Sequence, residues 1–503
     1  MNAPVAAPIV ERAHDSTPDE ADATGERLAR AINSLAPTTD TLPCDGLCVV
    51  DEECAAETCD AASEELDKPI HTRWLLKFTL PTIISYMLFG AFGMIDGIFA
   101  ARVIDPLALG AVSIVWPFVS FAMAIGFTFS MGGAALVGKK IGEGKYTEAR
   151  ANFSMLTVIT IVASAVISLV ALAFPDALLS LLGVDDVLRP MAMEYLVPIL
   201  AVLPLAVLGF YVQQYFVTEG KPSLGFLVTA VGGVFSVSLN FLFIWHWGWG
   251  LRGAALSTGI GWAVPAFIGM WFFVRNRTGT LYLTRPTWDL RALGKSTVNG
   301  ATEAVTMLAG SVTLVMMNNI VIDLAGPQGV AAVAIMFVGT GLLMQTLLGY
   351  AYGVAPIVSF NFGLGDRDRL RRLFKRSLVI MVSAAAAAIA LGWLLTAPLV
   401  SIYVGPGEIH DLATRGFRIG LLGMVFMAVN GFASVLFTAL NNGVVSGILS
   451  IFRTLVFVVA MLLLLPRVLG MDGVWLALPA AELLAMGMAL WYFWRKAKVY
   501  GFA

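Results

Sequence analysis

Residues 74–103 read WLLKFTLPTIISYMLFGAFGMIDGIFAARV. Between Lys77 and Asp96 the stretch has no charged side chain. Its apolar run is long enough for an α-helix to cross a hydrocarbon core about 30 Å thick, which takes about 20 residues. Comparable runs recur along nearly the whole chain. Of its 503 residues, 58% are hydrophobic and 13% charged, and the mean hydropathy is +0.81. These values exclude an ordinary soluble globular protein and predict an all-α polytopic membrane protein.

Working outward, twelve helices are expected near 74–101, 107–138, 147–174, 190–218, 222–246, 251–275, 295–325, 328–358, 368–397, 411–440, 443–466 and 473–497. Turn signals separate them, among them FPD at Phe174, EGKP at Glu219, AGPQG at Ala325 and VGPGE at Val404. Residues 1–68 form a different kind of sequence, with 16 acids against 4 bases and no helical periodicity. They are expected to be a disordered acidic tail. The tail holds all four cysteines, Cys44, Cys48, Cys54 and Cys59, at spacings that fit no zinc template, so no metal site is assigned there. Residues 69–291 and 292–503 are the two expected lobes, of six helices each. Flanking Lys and Arg number 22 on one side of the membrane and six on the other. This bias places both termini in the cytoplasm of a multi-pass protein of a bacterial-type plasma membrane.

The halves repeat. A shift of 221 residues aligns Pro106 with Pro327, Gly132 with Gly353, Gly142 with Gly363, Gly144 with Gly365 and Arg150 with Arg371. Near the ends a shift of 220 aligns Gly253 with Gly473, Trp271 with Trp491 and Arg275 with Arg495. Six helices per repeat return the chain to the same face. The two six-helix bundles are therefore expected to be related by a pseudo-twofold axis along the membrane normal, with a cavity between them. That design suits alternating access. No HExxH is present, and the GKS at Gly294–Ser296 lacks the first glycine of a phosphate loop and a preceding strand. No enzyme activity, cofactor, metal or nucleic-acid partner is expected, and the chain is expected to act as a monomer.

LPTIISYMLFGAFGMIDGIFAARVIDPLALGAVSIVWP, YVQQYFVTEGKPSLGFLVTAVGGVFSVSLNFLFI and WGLRGAALSTGIGW resemble helices one and two, four and five, and the entry to six of the multidrug and toxic compound extrusion (MATE) exporters. The resemblance covers about Thr72 to Lys498 and is closest to a bacterial, MepA-like branch. It implies an antiporter in which inward proton or sodium flow drives export of amphipathic, often cationic, small molecules across the lipid bilayer. The alternative within the same superfamily is a flippase for a lipid-linked saccharide. Such a flippase calls for a cationic cavity, whereas Arg453 is the one base well inside a span.

The resemblance also implies that Asp96 is the coupling carboxylate of the first lobe. Asp96 lies about 8 Å before the end of its helix, and a partner in Arg102, six residues on, shares its face poorly. An intramembrane acid is a functional candidate by default. It either takes and releases a proton or coordinates sodium with an oxygen ligand such as Asn240. Tyr211, Gln213 and Gln214 are candidate cavity residues, equally suited to hydrogen bonds between helices. In the second lobe Glu303, Arg453 and Glu482 lie about 12, 15 and 22 Å from the inner ends of their helices. Arg453 is expected to bridge both acids, as a packing device or as a proton-responsive network.

Overall fold

The computed structural model describes residues 66–501, apart from 100–103, 105, 183 and 185–187. Among the described residues there is no strand, and eleven helices, or twelve if one bent pair counts as a single span, are long and apolar enough to cross a membrane. We label them α1 (Thr72–Phe99), α2 (Pro106–Gly142), α3 (Tyr146–Ala173), α4 (Arg189–Thr218), α5 (Pro222–His246), α6 (Gly250–Arg275), α7 (Leu290–Gly326), α8 (Gln328–Leu364), α9 (Arg367–Tyr403), α10 (Glu408–Ala439, bent by 51° at Gly423), α11 (Gly443–Leu469) and α12 (Met471–Tyr500). Helices α7 and α8 run together except at Gly326, whose φ of 61° and ψ of −160° break the ladder. Only glycine adopts that backbone without strain. The acidic tail expected at 1–68 lies almost wholly outside the described residues.

Within the first bundle α4 is the hub, packed against α2, α3 and α6, while α1 and α5 lie together. The second bundle repeats this with α10 packed against α7, α8, α9 and α12. The register of the internal repeat reappears in the turns. Gly144 and Gly365, which close α2 and α8, have φ of 74° and 75°. Gly220 and Asn441, which follow α4 and α10, have φ of 78° and 56°. Asn is the non-glycine residue that best tolerates this region.

The two bundles meet on the pseudo-twofold axis. A Cβ at Gly138 would lie 2.6 Å from the Ser359 hydroxyl, and Ser359 is the repeat counterpart of Gly138. Around this point the joint is reciprocal. A Cβ at Gly142 would lie 2.1 Å from the Phe360 carbonyl oxygen, and one at Gly363 would lie 2.2 Å from that of Lys139. Both the glycines and the carbonyls are counterparts by the shift of 221. Farther along, Gly132 and Gly300 bring α2 and α7 together, where a Cβ would lie 2.0 Å from the Ser296 oxygen and 1.8 Å from the Thr128 oxygen respectively. Where lipid removes the hydrophobic drive for helix pairing, small residues of this kind permit the close backbone approach that replaces it. Polar ties lock the same end. Asn441 donates to the Ala135 carbonyl at 3.0 Å, Asn299 donates to Asn441 at 3.0 Å, and Gly443 N donates to Asn299 Oδ1 at 2.7 Å.

Candidate functional site

The first bundle contains a pocket between α1, α4, α5 and α6. Its walls are aromatic. Phe89 meets Phe210 edge-on at 5.1 Å between centroids, and Trp262 lies 6.0 Å from Phe210 and 6.4 Å from Phe89. Phe92 closes another side, packed on Gly233, where a Cβ would lie 1.7 Å from its ring. The polar lining consists of the Gln213 amide and the Thr229 and Ser236 hydroxyls, and none of the described lining residues is charged. Four glycines in the lining, Gly209, Gly232, Gly233 and Gly261, let its walls approach closely, since a Cβ at each would lie 1.7–2.5 Å from a neighbouring atom.

Most of these groups have counterparts in the second bundle, with the opposite outcome. Gly209, Phe210, Gln213, Thr229 and Gly232 correspond to Asn430, Gly431, Ser434, Ser450 and Arg453 by the shift of 221, and Trp262 corresponds to Glu482 by the shift of 220. The backbones superpose in kind. A Cβ at Gly209 would press on the Trp262 carbonyl, and Asn430 Nδ2 donates to the Glu482 carbonyl at 2.8 Å. Where the first bundle has Gly232, the second has Arg453, whose guanidinium Nη1 would lie 3.4 Å from a Cβ built at Gly431. Residues 452–456 of α11 form a π-helical turn containing Arg453. Such turns are frequent at functional positions.

The sequence-derived candidates fall in different places. Gln213 lines the aromatic cavity. Tyr211 instead faces α3: its hydroxyl donates to the Phe153 carbonyl at 3.1 Å and accepts from Thr157 at 3.1 Å, and its ring packs on Phe153 and Tyr215. Gln214 lies at the joint between bundles, donating to the Tyr352 carbonyl at 3.3 Å. One residue therefore faces the cavity, one the interior of the bundle and one the opposite bundle, as expected for consecutive or near-consecutive positions on one helix. Asn240 is buried at the start of the π-helical turn Phe241–His246 and accepts from Ser257 on α6. The backbone of Asp96 is helical, three residues before the end of α1, and its side chain lies outside the described residues. Helical spacing puts 89, 92 and 96 on one face, and the first two members of that face line the cavity.

In the second bundle Glu303, Arg453 and Glu482 are all buried. Arg453 Nε lies 3.8 Å from Glu482 Oε1, and Glu482 also accepts from Asn430 Nδ2 at 2.6 Å. Glu303 does not join this pair directly. It accepts from the Tyr352 hydroxyl on α8 at 2.9 Å, and Tyr352 packs on Tyr86 of α1 at 4.9 Å. The expected bridge of one base between two acids is thus an ion pair plus a separately anchored acid, because α7 turns Glu303 toward α8. Arg453 Nε and Nη1 have no hydrogen-bond partner among the described residues. The aromatic lining and Tyr352 were not singled out by sequence. The signal that was available is the run of glycines on α4, α5 and α6.

A sequence model of the MatE family matches residues 81–242 and 304–463, one block in each half. The multidrug export protein MepA of Staphylococcus aureus (strain bovine RF122 / ET3-1) is 23% identical over 429 residues, covering 83% of this chain and 92% of that protein. MepA of Staphylococcus saprophyticus is 21% identical over 420 residues with the same coverage. Among solved structures, an outward-facing multidrug resistance MATE family transporter of the MOP superfamily aligns with a TM-score of 0.83 at 19% identity, over 88% of this chain and 100% of that one. A point mutant of the Vibrio cholerae MATE transporter VcmN aligns with a TM-score of 0.79 at 17% identity, over 87% and 98%.

Proposed function

The chain belongs to the MatE family of membrane transporters and is not an enzyme, and on that premise we propose that it exports amphipathic, often cationic, small molecules by alternating access, driven by inward movement of protons or sodium ions. The observation that carries this reading is the uncharged aromatic cavity of the first bundle with Asp96 on the helical face that lines it. Ring faces attract desolvated cations, and a single carboxylate one turn farther along α1 provides the charge that an exchanging ion would compensate. A diphosphate-bearing lipid would need cationic lining there, and the described lining has none. In this reading the lobes divide at 291/292 and the protein works as a monomer. Asn240 supports the ion site, Gln213 orients substrate, and Tyr211 and Gln214 hold α4 in place.

The test is export of a fluorescent cation by inverted membrane vesicles with pH and sodium gradients imposed separately. Uptake driven by one of the gradients and collapsed by its dissipation is expected. Uptake indifferent to both removes the coupling, and absence of transport for every cation tried removes the export. Trp262→Ala takes one wall from the cavity. It is expected to raise KM for planar aromatic cations about tenfold, about 1.4 kcal/mol, with the amount of protein in the membrane unchanged. An unaltered KM would show that substrate is held elsewhere.

Orientation is checked by labelling intact cells with an impermeant maleimide. A cysteine at Gly405, exposed in the loop after α9, is expected to react. The native cysteines of the tail and a cysteine at the exposed Asp368 are expected to stay unlabelled until the membrane is opened. The reverse pattern inverts the topology.

A further inference from the structure

A buried acid outside the membrane-spanning helices takes no part in the cavity or the charged pair. Glu219 caps the end of α4, outside the span, and is only 2% exposed. Its two carboxylate oxygens accept from successive backbone N–H groups, Oε1 from Thr280 at 3.0 Å and Oε2 from Leu281 at 2.7 Å. Those residues belong to the connection between the bundles, residues 276–289. Arg150 of α3 grips the same segment from the other side. Its Nε donates to the Thr280 carbonyl at 2.8 Å and its Nη1 to the Tyr282 hydroxyl at 2.9 Å, with the guanidinium 4.2 Å over the Tyr282 ring. Thr284 N donates to Ser154 Oγ at 2.8 Å. Gly279 completes the fit, since a Cβ there would lie 2.4 Å from Glu219 Oε1. At the far end Asp289 already belongs to the second bundle, capping α7.

The arrangement belongs to the connection and not to the repeat. The counterpart of Glu219 is Leu440, although Arg150 has its counterpart in Arg371. An acid occurs only in the bundle that is followed by a connection to hold.

We propose that Glu219 and Arg150 form a clasp that binds the inter-bundle connection to the first bundle, and that protonation of Glu219 sets how firmly the clasp is closed. This rests on the alternating-access reading above. Closed, the clasp leaves residues 285–288 as the free tether, spanning at most about 14 Å; released, residues 276–288 span about 45 Å. The clasp thereby limits how far the bundles separate at this end. The charged groups acting on the carboxylate are Lys221 on its own turn and Arg150 from α3, and Arg150 and Arg277 both lie over the Tyr282 ring on the connection. Burial raises the Glu219 carboxyl from its ordinary 4.5 to about 7, despite the opposing effects of Lys221, the two backbone N–H groups and Arg150. An opened clasp returns the carboxyl to water and to its ordinary value. The closed form therefore binds the proton more tightly. It is favoured in acid, loses ground as pH rises from about 4.5 to about 7, and changes no further above that. Acid on this face tightens the tether and slows transport.

Hydrogen exchange of the 279–284 peptide in the full-length protein tests this, with rates corrected for intrinsic pH dependence. Protection of the Thr280 and Leu281 amides is expected to fall by on the order of tenfold between pH 5.5 and pH 7.5. Glu219→Gln, neutral at every pH, is expected to show no such change, and Gly279→Ala, which wedges the clasp, is expected to show low protection at both. Wild-type protection that ignores pH, or a Glu219→Gln protein that keeps the wild-type profile, overturns the clasp. In proteoliposomes, transport by the wild type is expected to slow when this face is acidified, and Glu219→Gln to lose that response. Expected exchange together with transport indifferent to this pH overturns the regulatory part. Expected exchange in a protein that transports nothing leaves the clasp standing and refutes the exporter reading.

Discussion

Arg453→Met is expected to destabilise the protein by about 3–5 kcal/mol, the usual result of removing one partner of a buried ion pair. The loss comes from what stays behind. Glu482 would retain its hydrogen bond from Asn430, but no cation would remain to offset a carboxylate placed far inside α12. Methionine approximates the volume, so the effect isolates charge from packing. The pair itself is not well satisfied, because Arg453 Nε and Nη1 lack hydrogen-bond partners among the described residues. Removing both charges in Arg453→Met with Glu482→Gln is therefore expected to recover most of the stability. Thermal unfolding of the three proteins in one detergent measures both effects. A single variant melting with the wild type would mean that Glu482 does not depend on the guanidinium.

Asp96→Asn is expected to reduce gradient-driven export at least about a hundredfold, about 2.7 kcal/mol in the driven step, while the protein remains folded in the membrane. The substitution keeps the size of the side chain and removes its ability to change charge. Glu303 is left intact in this variant, which makes the experiment decisive between the bundles. If the Glu303–Tyr352 pair carries the coupling, Asp96→Asn will export at wild-type rates and Glu303→Gln will not.

The spans and the repeat were legible because their signals are local. Long apolar runs, turn glycines and an ungapped shift of 221 residues require no knowledge of which helices touch. The axis itself became visible only in the structure, where Gly138 meets its counterpart Ser359. The aromatic cavity was not legible, because its walls come from helices whose neighbours the sequence does not show. Gly209, Gly232 and Gly261 read as ordinary small residues of membrane helices until Phe89, Phe210 and Trp262, from three helices, are seen around them. Gln213 was placed among the cavity candidates, but its neighbours Tyr211 and Gln214 point elsewhere, since about 100° separates adjacent positions and no sequence pattern set the rotation of α4. Glu219 read only as part of a turn. Its burial depends on residues about sixty positions later folding back over it. Sequence placed Glu303, Arg453 and Glu482 at similar depths, and depth alone did not show that α7 would present Glu303 to Tyr352.

At the glycine joint on the axis, Gly142 and Gly363 each meet the other bundle's main chain with nothing but hydrogen where a side chain would be. Such a seam has no rotamers to unlock. Main-chain surfaces held by Cα–H···O contacts, each worth about 0.5–1 kcal/mol, part and rejoin as rigid faces. Apart from the Asn441–Ala135 tie at the same end, the work of opening is spread over weak main-chain contacts. The reciprocity has a genetic corollary. A methyl group at position 142 and one at position 363 obstruct the same seam from opposite sides, so two distant codons form one target. Either lesion would leave the molecule biased toward the state in which this end stands apart, without touching a residue of the cavity.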